Sequence, residues 1–158
     1  MSHHSTSRSP IALPFPPAEW DLLVRLPGRV LIAATAVRPE DARHTVGEGL
    51  AGIEAIAAGR ASPSRLPHDV VAAIYAERAG DVDPREFADP RSAMVSVLTD
   101  CRAAARTLAR RVAGSDADAY RDWLVEIATT VCSAGRPHGW VTLAEQRFLA
   151  DLALALAV

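Results

Sequence analysis

Asp41, His44 and Glu48 stand at i, i+3 and i+7 of one predicted helix, so all three project from one face. Carboxylate and imidazole at that spacing suit a divalent cation in a helical bundle, provided they face inward and meet ligands from other helices. Here they oppose the apolar stripe Val46, Leu50, Ile53 and Ala57, which predicts a solvated face instead of a metal site. Glu145 is the next acid to weigh. It closes Thr142-Leu143-Ala144-Glu145, a T-x-x-E capping box in which the carboxylate reaches back to the N-cap amide, and that role accounts for it. His138 and Trp140 share the loop before this last helix and form the candidate pocket pair, since loops gather binding residues. The expected packing folds Trp140 over the helix end and leaves His138 exposed.

No residue is assigned a catalytic role. The sequence contains no nucleophile elbow, GxGxxG, P-loop or HExxH. His68, just after Pro67, has no role either. Cys101 and Cys132 lie outside any CxxC or Cys/His cluster and on apolar helix faces, where reduced, inert thiols in a cytoplasmic setting are expected. No cofactor is predicted, and a divalent cation enters only through the acids named above.

Composition restricts the partners. The net charge of −2 offers no basic footprint for nucleic acid and no polybasic membrane anchor. Every cationic residue is Arg, so Lys-based Schiff-base chemistry is excluded. The apolar run Val30 to Val37 is far too short to span a bilayer, and a soluble protein is expected. Aromatics make up only 5% of the chain, so the core must be built from small aliphatic side chains, a composition that favours helices over sheets.

These candidates need helices to position them. Residues 1–16 read as a flexible Ser/Pro/His-rich tail and 17–158 as one helical domain. In the first segment Pro27 is expected to break the helix after Leu26 and start another at its own position. Arg38 to Asp41 reads as the start of the next helix, weakened by Gly47, Gly49 and Gly52 and stopped near Gly59. Linking helices follow over 67–79 and 90–112, separated by a polar, turn-rich stretch from Gly80 to Asp89. The second has Asp89 as N-cap, Pro90 at its first position, and Met94, Val97, Leu98, Cys101, Ala105, Leu108 and Val112 on one face. Its other face, with Arg102, Arg106, Arg110 and Arg111, reads as solvated. Ser115-Asp116-Ala117-Asp118 resembles a capping box for a helix bearing Tyr120, Leu124, Ile127 and Val131. Phe148, Leu149, Leu152 and Leu156 face inward from the last helix. The expected class is an all-α bundle of six or seven helices.

Asp21 to Val30 can be laid over Asp122 to Val131 without a gap, with Asp, Leu, Val and Val identical and the apolar positions coincident. This predicts an internal pseudo-two-fold repeat, with half-repeats at about 17–59 and 115–158.

The stretch Tyr120 to Ala128, then Val131, Ala134 and Gly135, then Val141 to Glu145 and a Leu-rich end, resembles small bacterial all-helical proteins related to tellurite-resistance protein B. Trp20, Leu23, Pro27, Val30 and Ala33 resemble that family's first repeat. The resemblance implies an all-helical protein associated with stress resistance, with acids in each half that can hold a cation. Glu145 matches the helical Glu of the second half and Glu48 its first-half counterpart. The family's loop acids are absent, the second loop reading Gly135-Arg136-Pro137-His138-Gly139-Trp140.

The expectation is therefore a non-enzymatic accessory or interaction protein with a protein partner or a second copy of itself. The alternatives are a divalent-cation-binding stress protein and a small enzyme with its site between the two halves.

Overall fold

The computed structural model describes residues 14–37, 42–77, 89–134, 136 and 140–157. These residues form six α-helices: α1 (Pro17–Ala36), α2 (Ala42–Ala57), α3 (Arg65–Glu77), α4 (Pro90–Arg111), α5 (Gly114–Ser133) and α6 (Leu143–Leu156), with a 3-10 turn at Ala58–Ala61 after α2. There is no strand among the described residues. The all-α class expected from composition is the class observed.

α1 packs against α2, α3, α4 and α5. Its partner α4 runs antiparallel, because Arg29 bonds Asp100 and Ser96 while Glu19 receives Arg110 and Arg111. The Glu19 carboxylate thus joins the N-terminal turn of one helix to the C-terminal turn of the other, where each charge also suits the helix dipole. α5 is antiparallel to α2, with Val131 opposite Gly52 and Trp123 opposite Ala55 and Gly59. Leu23, Leu26, Val30, Val97, Leu108, Leu124, Ile127 and Leu152 fill the centre, all fully buried. Aliphatic packing of this kind is what the shortage of aromatic residues requires.

α1 does not break at Pro27. The helix is continuous for 20 residues with Pro27 buried inside it. A proline there leaves the carbonyl four residues earlier, that of Leu23, without its helical donor. The Tyr120 hydroxyl of α5 donates to the Leu23 oxygen at 2.8 Å in the core. A tertiary bond therefore replaces the missing helical one, which a reading of local sequence does not reveal.

The expected caps divide. Asp89 caps α4, accepting from the Arg91 amide and the Ser92 hydroxyl, and these bonds hold its carboxyl below the usual carboxylate range. Thr142 and Glu145 form the full capping box on α6. The Ser115–Asp118 box does not form: α5 begins at Gly114, and its N-cap Ala113 makes no side-chain bond. Asp116 instead accepts from the Ser64 hydroxyl at 2.7 Å, and that hydroxyl oxygen takes the Leu66 amide at the start of α3. The carboxylate joins two helix starts instead of capping one.

α2 is turned relative to expectation. Val46, Leu50 and Ile53 are 65%, 60% and 54% exposed, while Glu48, Gly52 and Ile56 are buried. A Cβ on Gly52 would lie 2.6 Å from Leu31 and 2.9 Å from Val131, so the missing side chain lets α2 seat against α1 and α5. Backbone fit selected this face over the larger apolar one.

Candidate functional site

The expected cation ligands separate. Asp41 lies outside the described residues, as does the side chain of His44, although its backbone is part of α2. Glu48 was expected in solvent and is buried, because α2 presents its glycine-bearing face to the core. Glu145 is also buried, and both acids lie close enough to Cys132 to act on its thiol. Two of the four candidate ligands, Glu48 and Glu145, thus both act on one buried cysteine.

These groups come from α2, α5 and α6, and the Glu145 carboxylate is well satisfied by its neighbours. One oxygen of Glu145, Oε1, accepts from Arg136 Nη1 at 2.6 Å, the Thr142 amide at 3.0 Å and the Thr142 hydroxyl at 2.8 Å. Arg136 also donates to the Trp140 carbonyl, and its side chain is only 14% exposed. The pair therefore pins the loop before α6 onto the helix start. Burial, then the Glu145 carboxylate with its charge and the hydrogen bond it accepts from the thiol, then Glu48, push the Cys132 thiol up to about 12. A thiol held protonated at neutral pH is neither a nucleophile nor a ready metal ligand. Cys101 is pushed equally high, to about 12, mainly by burial. Among the described residues no group of three or more His, Cys, Asp or Glu side chains is arranged to hold a metal ion.

The loop pair fares differently. His138 lies outside the described residues. Trp140 does not cover the end of α6; it is 73% exposed, since Arg136 grips its carbonyl and the capping box fixes the chain direction just after it. His68 is exposed beside Asp69 at 3.1 Å. Both cysteines are buried and unbridged, as expected of apolar helix faces.

An apolar surface remains, built on α2. Val46, Leu50 and Ile53 occupy successive turns of its outer face. Gly47 and Gly49 flank them with nothing within 4 Å of where a Cβ would stand. Beside this face α1, α2 and α3 enclose a half-open groove of about 300 Å³ lined by Val24, Gly28, Leu31, Ile32, Ile53, Ile56, Ile74 and Tyr75. The only polar side-chain atom in that lining is the Tyr75 hydroxyl. Arg60, from the 3-10 turn, holds its guanidinium 4.5 Å from the centre of the Tyr75 ring, a cation–π contact. The sequence pattern marked the apolar residues of α2 correctly but assigned them to the core. Tyr75 and Arg60 were not singled out at all; they are 15 residues apart and meet because α3 packs back on the 3-10 turn that precedes it.

No family model, curated protein or solved structure matches the chain. No helix among the described residues is long and apolar enough to cross a membrane.

Proposed function

We propose that this chain is a non-enzymatic interaction protein that docks a partner on the outer face of α2. The observation that carries this reading is the exposure of Val46, Leu50 and Ile53 together on one helix face. Contiguous apolar surface that a fold leaves in water marks an interaction site more often than it marks nothing. The simplest occupant is a second copy. Val46 and Ile53 flank Leu50 by four residues and three, so an antiparallel pair of α2 helices sets Leu50 on Leu50 and Val46 near Ile53 in both directions. A two-fold interface needs this self-complementarity, and Gly47 and Gly49 leave room for a second backbone to come close. With this reading go the cytoplasmic setting expected of the reduced thiols and the duplication expected from Asp21–Val30 and Asp122–Val131.

Light scattering over a concentration series tests it. The wild-type chain is expected to self-associate, and Leu50→Asp to remain monomeric with an unchanged helical spectrum. A wild-type chain that stays monomeric throughout and binds no apolar dye removes the reading.

A second reading has one observation in its favour. Glu48 and Glu145, the acids chosen by the family resemblance, both act on the same buried thiol. A divalent-cation site there requires calcium, manganese or zinc to raise the melting temperature, as any ligand of the native state must. Unchanged melting with all three removes it.

A further inference from the structure

Beyond a docking face, the groove between α1, α2 and α3 has the properties of a small-molecule site. Its walls are aliphatic apart from Tyr75, and its volume of about 300 Å³ is separate from the polar cluster at α6. A dry apolar cavity of about 150 Å³ takes one benzene, so a space twice that size accommodates a flexible chain of roughly eight to ten carbons. Ile56 closes one side from the core, while Ile53 and Tyr75 stand at the open side, each about half exposed.

A cation, that of Arg60, lies against the ring of Tyr75, although Arg60 is not itself part of the lining. What marks Arg60 is its position: its guanidinium is held over the Tyr75 ring, which forms part of the groove wall. Stacking on the ring face directs an arginine's charge without consuming its in-plane donors, which stay available to a carboxylate. Apolar walls with one positive group at the mouth complement an apolar chain that ends in a negative group.

We propose that this groove binds a medium-chain carboxylate, with the hydrocarbon along Leu31, Ile32, Ile56 and Ile74 and the carboxylate at Arg60. The chain contributes burial of apolar surface, and the charged end selects among apolar ligands.

The test uses the full chain with decanoate and decanol, each kept below the concentration at which it aggregates. Decanoate is expected to raise the melting temperature in a saturable way and to bind about tenfold more tightly than decanol, the effect of one charge-assisted contact. Arg60→Gln is expected to erase that preference while leaving decanol binding unchanged. Ile74→Trp, which fills the groove, is expected to abolish both. The proposal falls if decanoate leaves melting unchanged, or if Arg60→Gln retains the tenfold preference. It also falls if Ile74→Trp disrupts self-association while decanoate has no effect, which makes the groove a contact between copies. Leu50→Asp separates the two readings: it removes association on α2 and is expected to leave decanoate binding intact.

Discussion

The bond from Tyr120 to Leu23 explains how one residue type is tolerated where it should not be. Pro27 deprives the Leu23 carbonyl of its donor, and the core offers no water to replace it. Tyr120→Phe therefore leaves that carbonyl orphaned and is expected to cost about 1–3 kcal/mol in chemical denaturation. Pro27→Ala restores the amide, so the same Tyr120→Phe change in that background is expected to cost less. A coupling of about 1 kcal/mol in the resulting double-mutant cycle is the signature; additive effects rule the compensation out. The two thiols yield a pH prediction of definite sign. Burial raises both from an ordinary value of 9.0 to about 12. The unfolded chain thus loses these protons first, and the stability they contribute is complete below pH 9 and declines as the pH rises towards 12. Melting temperature measured across that range should fall, and native protein at pH 8 should resist a thiol reagent that labels the unfolded chain at once. Rapid native labelling contradicts the burial of both groups.

At the scale of the element, what could be read from sequence was what local physics decides. The α4 cap at Asp89, the α6 box at Thr142 and Glu145, and the buried row Val97, Cys101, Ala105 and Leu108 each follow from spacing along one helix. The orientation of α2 does not. Its larger apolar residues point out because Gly52 permits an approach to Leu31 and Val131 that no other residue there allows, and glycine carries no weight in a hydrophobic period. The candidate site was half legible for the same reason: Glu48 and Glu145 were named, but their meeting at Cys132 depends on that turn of α2. The glycines themselves make the test. In a Leu50→Asp background, Gly47→Ala and Gly49→Ala meet open space and are expected to stabilise by up to about 1 kcal/mol each through helix propensity. Gly52→Ala forces a Cβ against two core side chains, and Gly59→Ala forces one within 2.7 Å of the Trp123 indole. Both are expected to destabilise by about 1–3 kcal/mol, the usual cost of overpacking. If Gly52→Ala stabilises as much as Gly49→Ala, the glycine-seated orientation of α2 is wrong.

For the whole molecule, the two halves suggested by the repeat do not have separate interiors among the described residues. α1 of the first half packs on α5 of the second, and the Pro27 defect in one is repaired by Tyr120 in the other. Trp123 closes the same circuit in reverse, its indole donating to the Ala55 carbonyl at 3.1 Å from across the interface with α2. Neither half can open without breaking these bonds and uncovering the core of the other, and that cost binds their unfolding together. A chain in which Trp20 and Trp140 are replaced by Phe reports from Trp123 alone. Its fluorescence transition in urea is expected to coincide with the loss of helical circular dichroism, with one midpoint and one slope for both signals. Tyr120→Phe should shift both midpoints together. Separation of the two curves would mean that α2 and α5 part before the remaining helices melt. Asp21–Val30 and Asp122–Val131 would then belong to two folding units instead of one shared core.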